Sequence, residues 1–352
     1  MIRVLVVDDS NSVRALLMHI LGTAPGLAVV GCAADGEEAL KLAHELQPDV
    51  ITMDLHMPRM DGFEAIRRIM QDCPTRIVVV SGSTDRAEVD ASFRAIGAGA
   101  LVLVRRPLGI GNPAHEDSAR DLVRTVKAMA EVRVVRRWSD ARRAARPLQG
   151  APRRLVAIGA STGGPTVLRD ILAELPADYP LPVVIVQHLA PGFMDGLATW
   201  LADASGYPVE VLKDGAPLTG GRACLVPEGW QAALGPGLVG RLVPAPPEHG
   251  MRPSVSHLFR AIDPELRPTT AAVLLTGMGK DGAAELKLLR EHGALTIAQD
   301  RASAVVYGMP GEALRLDAAM LVLEPAEIGK VLARLPAEPF PSSVFPTNGD
   351  LP

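Results

Sequence analysis

The first 131 residues alternate short apolar runs with amphipathic stretches. The apolar runs are rich in β-branched residues and have strand length, at Ile2–Val7, Ala28–Ala33, Val50–Met53, Arg76–Val80 and Leu101–Val104. The amphipathic stretches carry apolar residues at helical spacing, at Ser12–Leu21, Glu37–Leu46, Phe63–Met70, Ala87–Ile96 and Ser118–Glu131. Strands that alternate with helices in this way predict an α/β domain with a doubly wound parallel sheet over residues 1–131.

A second alternating segment begins at Arg153 and predicts a further doubly wound α/β domain over residues 153–335. Its predicted strands are Leu155–Ala160, Pro182–Gln187, Val209–Leu212, Ala223–Val226, Leu238–Val243, Ala271–Thr276, Leu295–Gln299 and Met320–Leu323. Its predicted helices are Thr166–Leu175, Phe193–Leu201, Ser254–Ile262, Ala283–His292 and Ala326–Leu335. Residues 132–152 are rich in Arg, Ala and Pro and predict a linker, and residues 336–352 predict a disordered tail.

Composition narrows the classes of function. The 352 residues carry a formal charge of −4, and no nucleic-acid recognition motif accompanies the arginines of the linker, so we expect no nucleic-acid partner. No apolar run reaches the roughly 18 residues of a membrane span, and the N-terminus meets acids too early for a signal peptide. Three scattered cysteines form neither a disulfide framework nor a zinc site. We therefore expect a cytoplasmic protein with no membrane insertion.

A serine lies in the turn that follows the first strand of the second segment, in I-G-A-S-T-G-G-P. Small neighbours at Gly159 and Gly163 give Ser161 the G-x-S-x-G pattern, which allows a sharp turn that exposes a hydroxyl. Pro165 suits the first turn of a helix. Backbone N–H groups left unpaired at the start of that helix can hold a developing oxyanion.

Two residues far along the chain are candidates for a base and an acid. His188 follows P-V-V-I-V-Q, and Asp281 follows the run A-A-V-L-L-T within G-M-G-K-D-G. Because the carboxyl ends of parallel strands share one edge of a sheet, we expect both residues to lie beside Ser161. A serine nucleophile needs a base, and the base needs an acid that orients it. The order Ser, His, Asp differs from that of α/β-hydrolases, so the serine motif does not imply that fold.

Each of these residues also has an ordinary alternative role. Asp281 suits the N-cap of the next helix, and a histidine at a strand end is commonly a surface residue. The glycine-rich segments are compatible with a phosphate-cradling loop, although the first lacks the lysine of a P-loop. His249 and His257 rival His188 as the base, although no strand end positions them. Taken together, Ser161, His188 and Asp281 favour a serine hydrolase.

Acidic residues follow directly after two predicted strands of the first segment. Asp8 and Asp9 follow the first strand and Asp54 follows the third, while Ser81 and Arg106 follow the fourth and fifth. A single acid at a strand end is ordinarily a solvated loop residue. Crowded carboxylates at one edge of a sheet need a cation, and hard oxygen ligands suit Mg²⁺. One carboxylate can then accept a phosphoryl group, which a hydroxyl and a guanidinium can hold.

The first segment resembles a response-regulator receiver domain in V-V-D-D, M-D-L-H-M-P-R-M-D-G, Ser81 and Arg106-Pro107. The resemblance implies a flavodoxin-like receiver in which Asp54 is the phosphoacceptor and Asp8, Asp9 and Asp54 hold Mg²⁺. Ser81 and Arg106 would sense the phosphoryl group. The family usually carries lysine at the position of Arg106, and an arginine there keeps the charge but is longer and planar.

The second segment resembles the catalytic domain of the chemotaxis protein-glutamate methylesterases of the CheB family. The resemblance is carried by I-G-A-S-T-G-G-P, V-I-V-Q-H, L-L-T-G-M-G-K-D-G-A and A-Q-D-R-A-S-A-V-V-Y-G-M-P, in that order behind a receiver. It implies hydrolysis of γ-glutamyl methyl esters on methyl-accepting chemoreceptors, deamidation of certain receptor glutamines, and a CheA-type histidine kinase as phosphodonor. It assigns Ser161 as nucleophile, His188 as general base and Asp281 as orienting acid, with Thr162 and Met278 lining the site, and no cofactor for the esterase chemistry.

The chain departs from the family pattern in two stretches. Met251 and Ser256 stand where the family commonly has His and Asp, and Glu228 and Gln231 replace what is usually a Gly and a His. These positions bear on receptor specificity and domain docking and leave the three candidate catalytic residues intact.

Our hypothesis is therefore a monomeric, phosphorylation-regulated hydrolase whose receiver covers the serine edge until Asp54 is phosphorylated. The alternative is a non-catalytic response-regulator module whose second domain binds a partner. A third possibility, a nucleotide-binding α/β domain, rests on the glycine-rich loops alone.

Overall fold

The computed structural model describes residues 1–82, 95–96, 99–130 and 152–335. The chain folds into two units, and each has its own parallel sheet. The predicted linker up to residue 151, the predicted tail 336–352 and all of the predicted helix Ala87–Ile96 except Ala95 and Ile96 lie outside the described residues. No helix in the described ranges is both long and apolar enough to cross a bilayer.

The N-terminal sheet has five parallel strands in the order β2-β1-β3-β4-β5. The strands are β1 (Ile2–Val7), β2 (Leu27–Ala33), β3 (Val50–Met53), β4 (Arg76–Ser81) and β5 (Val102–Arg105). The described helices are α1 (Asn11–Thr23), α2 (Gly36–Leu46), α3 (Gly62–Asp72) and α4 (His115–Ala130). Helix α2 packs against α3 and α1 against α4, as in a doubly wound domain with helices on both faces of the sheet. The predicted fold class is confirmed for this unit.

Two acids of this unit serve as helix caps. Asp35 Oδ1 accepts hydrogen bonds from the N–H groups of Glu37 and Glu38 at the start of α2, at 2.8 and 2.9 Å. Asp61 Oδ1 accepts the N–H of Glu64 at the start of α3, at 2.9 Å. Each carboxylate satisfies donors that the first turn of a helix leaves unpaired. Asp61, although it lies close to Asp54 in sequence, therefore has a local structural role.

The C-terminal sheet has seven parallel strands in the order β14-β13-β12-β6-β7-β9-β8. The strands are β6 (Leu155–Ala160), β7 (Val183–Gln187), β8 (Val209–Val211), β9 (Ala223–Leu225), β12 (Thr270–Leu274), β13 (Leu295–Gln299) and β14 (Leu321–Leu323). The helices are α5 (Gly164–Leu172), α6 (Met194–Ser205), α7 (Val255–Arg260), α8 (Ala283–Glu291), α9 (Met309–Arg315) and α10 (Pro325–Arg334), with a 3₁₀ turn at Arg267–Thr269. The central strands β6, β7 and β12 are buried throughout.

A separate antiparallel hairpin joins β10 (Gln231–Gly235) to β11 (Val239–Val243). The strand predicted at Leu238–Val243 is present as β11, and it pairs with β10 outside the seven-stranded sheet. Strand β10 was not predicted, because Q-A-A-L-G has none of the β-branched or aromatic residues that mark strands. Helix α9 was not predicted either, because its seven residues contain both Pro310 and Gly311.

The order of strands in each sheet determines where a site can form. The chain proceeds outward from β6 through β7 and returns on the other side of β6 as β12, so the sheet order reverses between β6 and β12. In the N-terminal sheet the reversal lies between β1 and β3. Helix connections diverge at such a point and leave a crevice at the carboxyl ends of the two strands.

Candidate active site

Ser161 directly follows β6, and α5 begins at Gly164. Its N–H donates to the carbonyl of Thr276 at 3.0 Å, and its carbonyl accepts the N–H of Gly164 at 2.8 Å. Gly163, the N-cap of α5, has a φ of 80°, a conformation that favours glycine. A Cβ on Gly163 would also lie 2.5 Å from Val305 Cβ. The predicted strand, turn and helix around Ser161 are thus present.

The loop after β12 approaches Ser161 at the point where the sheet order reverses. A Cβ on Gly277 would lie 2.6 Å from Ser161 Cβ and would collide with Met309 Sδ. The Gly277 N–H donates to the Val306 carbonyl at 3.0 Å, which ties this loop to the segment before α9. Glycine at this position therefore allows two loops to meet beside the serine.

His188 directly follows β7, the neighbour of β6, and its N–H donates to the carbonyl of Ala160 at 3.0 Å. The imidazole Nε2 lies 2.8 Å from Asp281 Oδ2. The two side chains are only 5% and 3% exposed, so the pair is shielded from water. His188 Nδ1 is buried and has no hydrogen-bond partner among the described residues. With Nε2–H donated to Asp281, Nδ1 carries the lone pair that a general base requires.

Asp281 is held by four donors. Oδ2 accepts from His188 Nε2 and from the N–H of Val255 at 2.8 Å. Oδ1 accepts from Ser254 Oγ and the N–H of Ser256, both at 2.9 Å. Burial raises the pKa of this carboxyl, but the hydrogen bond and charge of His188 and the hydrogen bonds from Ser256 lower it, and the net pKa lies below the ordinary value. Asp281 therefore stays ionised beside the histidine.

The structure distinguishes His188 from its rivals. His257 Nδ1 pairs with Glu248 Oε1 at 2.9 Å, and His249 is exposed with a φ of 51°. Gly282, and not Asp281, occupies the N-cap of α8. Asp281 thus contacts the N-terminus of α7 instead of the helix that follows it in sequence.

Gln187 links the serine and the histidine, and no sequence motif singled it out. Its Nε2 donates to the carbonyls of Ser161 at 2.9 Å and His188 at 2.8 Å. The side chain is buried, and a Cβ on Gly164 would collide with its Oε1. A polar residue that closes an otherwise apolar strand was the available clue, because buried amides need partners.

In the N-terminal unit, Asp8, Asp9 and Asp54 form an acidic cluster at the carboxyl ends of β1 and β3. One oxygen from each carboxylate lies within 4.8 Å of the others. Arg106 Nη2 approaches Asp8 Oδ2 at 3.5 Å and Asp54 Oδ1 at 3.7 Å. Ser81, at the end of β4, is buried, and its carbonyl accepts the N–H of Arg106 at 2.8 Å. All five predicted residues therefore lie at one edge of the sheet.

The acidic cluster fits a divalent cation. Asp8 Oδ2 is buried and accepts no hydrogen bond from any described residue. Burial, then the charge of Asp8, raises the pKa of Asp54 to about 6, although Arg106 opposes the shift. Burial likewise raises the pKa of Asp8. Carboxylate oxygens are the ligands that Mg²⁺ prefers, and a cation would offset both the burial and the mutual repulsion that raise these pKa values.

Each of the two units matches a known family of protein domains. Residues 4–111 match the response regulator receiver domain, and residues 156–332 match the CheB methylesterase domain. This chain belongs to the CheB methylesterase family.

Members of the CheB family resemble the chain over nearly its whole length. A protein-glutamate methylesterase/protein-glutamine glutaminase of Geobacter metallireducens is 51% identical, over 96% of this chain and 100% of that protein. A protein of the same name from Nitrosospira multiformis is 48% identical, over 96% of this chain and 98% of that protein. The crystal structure of the Thermotoga maritima CheB methylesterase catalytic domain is 34% identical, covers 53% of this chain and all of that domain, and has a TM-score of 0.50.

Two of the positions that depart from the CheB pattern help to hold Asp281. Ser256 does so directly, and Gln231 does so through Ser254. Ser256 donates its N–H to Asp281, and its Oγ accepts the N–H of Gly282 at 2.8 Å. Gln231 Oε1 accepts the N–H of Ser254 at 2.8 Å. From the sequence, both positions were expected to bear on receptor specificity and domain docking and to lie apart from the candidate catalytic residues. Serines that precede a helix are typical caps, and Ser254 does cap α7, so that motif was the available clue.

The other two departures lie in loops. Glu228 Oε1 accepts the N–H of Gly192, in the loop after His188, at 2.7 Å. Met251 exchanges backbone hydrogen bonds with Glu248 at 2.8 and 3.0 Å. Among the described residues, neither side chain forms a hydrogen bond with Ser161, His188 or Asp281.

Thr162 and Met278 follow β6 and β12 on the two loops that meet at Ser161. The Thr162 carbonyl accepts the hydroxyl of buried Thr276 at 2.9 Å, which fixes this turn. Met278 is 38% exposed. Within the described part of the chain, the N–H groups of Thr162 and Met278 donate no hydrogen bond. Two unpaired backbone donors beside a serine have the character of an oxyanion hole.

Proposed function

We propose that this chain is a phosphorylation-regulated protein-glutamate methylesterase that also deamidates specific glutamines. Its substrates are γ-glutamyl methyl esters of methyl-accepting chemoreceptors. The observation that carries the proposal is the buried hydrogen bond between His188 and Asp281, with His188 Nδ1 unpartnered, on the strand next to Ser161. The names of the relatives support the same two activities.

The chemistry follows from these positions. Ser161 Oγ attacks the ester carbonyl carbon while its proton passes to His188 Nδ1. The N–H groups of Thr162 and Met278 hold the oxyanion. The bond to the methoxy oxygen breaks, His188 returns the proton to that oxygen, and methanol leaves a glutamyl ester on Ser161. Water then repeats the attack with His188 as base and releases the glutamate carboxyl; an amide substrate releases ammonia in the first half.

Asp281 orients this base. Its Oδ2 holds Nε2–H, which keeps the lone pair on Nδ1 and stabilises the imidazolium that forms. Ser161 Oγ makes no hydrogen bond to His188 in the described residues, and catalytic hydrogen bonds commonly shorten only when substrate binds.

The receiver supplies the regulation. Asp54 accepts a phosphoryl group from a CheA-type histidine kinase, and Ser81 and Arg106 hold the phosphoryl oxygens. Asp8, Asp9 and Asp54 would hold Mg²⁺, which would offset the charge of the carboxylates and of the phosphoryl group. Phosphorylation of Asp54 raises the methylesterase activity. The proposed compartment is the cytoplasm, which suits three free cysteines.

The test is methanol release from methylated receptor fragments, with and without a small-molecule phosphodonor and Mg²⁺. We expect activity that rises with the phosphodonor and is lost in Ser161→Ala. Ser205→Ala is the matched control, because Ser205 Oγ donates to the carbonyl of Leu201 at 2.6 Å and accepts the N–H of Tyr207 at 3.1 Å, and neither partner belongs to the candidate active site. Full activity in Ser161→Ala would refute the assigned nucleophile. A wild-type protein without activity in either state would favour the non-catalytic regulatory module.

A further inference from the structure

Gln231 is a fully buried amide on a hairpin outside the main sheet. Its Nε2 donates to the carbonyls of Pro246 at 3.1 Å and Met251 at 3.3 Å. Its Oε1 accepts the N–H of Ser254 at 2.8 Å. The amide thus uses both donor hydrogens and one acceptor on a single segment, residues 246–254.

The donors that hold Asp281 begin at Ser254, where that segment ends. Ser254 Oγ and the N–H groups of Val255 and Ser256 reach the two carboxylate oxygens at 2.8–2.9 Å. Gln231 accepts the N–H of Ser254, and Ser254 is the first of the three residues that supply these donors. The orientation of the Asp281 carboxylate, and with it the hydrogen bond to His188, therefore depends on a side chain that forms no hydrogen bond with either residue in the described part of the chain.

Filling the core does not explain a glutamine at this position. The same strand buries Ala232 and Leu234 in the apolar core. A buried amide loses its hydration, and an apolar side chain of similar length would pack there without that cost. The specific gain from the amide is that all its bonds go to the segment that carries the Asp281 donors.

We propose that Gln231 is a positioning residue for the His188–Asp281 pair, acting through Ser254. The proposal rests on the proposed function, because it assumes that the pair serves catalysis. Gln231 stabilises one orientation of the Asp281 carboxylate and so maintains the lone pair of His188 Nδ1 in the direction of the serine. A small displacement of a reacting group costs up to about 100-fold in rate, so the effect should fall on kcat.

The test compares Gln231→Met, which keeps length and flexibility but removes every hydrogen bond of the amide, with Leu234→Ala on the same strand. Leu234 is 1% exposed, so its truncation destabilises the hairpin core without touching the Ser254 anchor. We expect Gln231→Met to lower kcat by about 10- to 100-fold with KM nearly unchanged. We expect Leu234→Ala to lower the unfolding temperature and leave kcat at 25 °C within about twofold.

A second readout does not depend on turnover. The Nε2–H proton of His188, held by Asp281, should give a downfield proton resonance that is absent in His188→Gln. We expect this resonance to broaden or move in Gln231→Met and to persist in Leu234→Ala. If the wild-type protein were inactive on methylated fragments, the proposed function would fail while this resonance still tested the positioning role.

Unchanged kcat together with an unchanged resonance in folded Gln231→Met would overturn the inference. Equal losses of kcat in Gln231→Met and Leu234→Ala would also overturn it, because they would indicate general destabilisation. If Gln231→Met did not fold, Gln231→His would take its place, since an imidazole keeps one donor and one acceptor. It should lower kcat by less than about tenfold and keep the His188 resonance. Loss of that resonance with kcat unchanged would contradict the role.

Discussion

Asp281 Oδ2 lies 2.8 Å from His188 Nε2, although 93 residues separate the two in sequence. The contact uses the far nitrogen of the imidazole and leaves Nδ1 without a partner in the described residues. Because three further donors hold the carboxylate, the acid is fixed before substrate arrives. Preorganised charge of this kind avoids reorganisation during the reaction.

Replacement of Asp281 by asparagine should lower kcat on the order of 10³- to 10⁴-fold, because the amide no longer stabilises the imidazolium or selects its tautomer. The measurement is methanol release at saturating substrate. Asp263→Asn is the control, since Asp263 Oδ1 accepts only the N–H of Glu265 at 2.9 Å among side-chain contacts. A loss below tenfold in Asp281→Asn would contradict the orienting role.

Asp54→Asn should stabilise the metal-free protein at neutral pH. The folded-state pKa of Asp54, about 6, lies above that of an unfolded aspartate, so the stability it contributes is present below about pH 4 and is lost as pH rises through 6. Removal of the charge should therefore add up to about 3 kcal/mol to the free energy of unfolding at pH 7.5, and little at pH 4. Thermal unfolding in EDTA checks this. Mg²⁺ should raise the unfolding temperature of the wild type at pH 7.5 more than that of the variant, and equal shifts would count against the metal site.

Arg106→Gln should destabilise the receiver in EDTA at pH 7.5 by about 1 kcal/mol, because Arg106 is a cation close to both Asp8 and Asp54. Addition of Mg²⁺ should restore most of this loss. Arg120→Gln on α4 is the matched control, since Arg120 pairs only with exposed acids of its own helix. If both variants behaved alike, Arg106 would have no special role in the acidic cluster.

Thr276→Val should destabilise the catalytic unit by about 1–3 kcal/mol. The hydroxyl of buried Thr276 accepts the N–H of Val306 at 2.9 Å and donates to the carbonyl of Thr162 at 2.9 Å, and valine leaves both groups unpaired. The turn that carries Ser161 should loosen, so kcat/KM should also fall. Thr276→Ser keeps the hydroxyl and should retain more activity than the valine variant; urea unfolding and methanol release together check the ranking.

Gly277→Ala should lower kcat by at least about tenfold, because the added Cβ collides with Met309 Sδ and presses on Ser161 Cβ. Gly235→Ala serves for comparison, since a Cβ there has its nearest neighbour at 3.7 Å. Activity in Gly277→Ala equal to that in Gly235→Ala would show that the loops separate without affecting the serine.

Much of the site was accessible from local patterns. Apolar runs predicted β1, β3, β6, β7 and most other strands within about two residues. The rule that parallel strands share a carboxyl edge then placed Asp8 with Asp54, and Ser161 with His188 and Asp281. The antiparallel hairpin was not accessible in this way, because its first strand lacks residues with strand propensity and forms through pairing with β11.

The sequence by itself determined the two α/β units and which polar residues close their strands, because strand propensity, helical periodicity and chain direction are local properties. Only the tertiary structure decided that His188 binds Asp281 through Nε2, that Asp281 meets α7 instead of capping α8, and that Gln231 holds Ser254. These hydrogen bonds join segments that are distant along the chain. Their partners depend on how helices and loops pack around the sheet, and no local pattern encodes that packing.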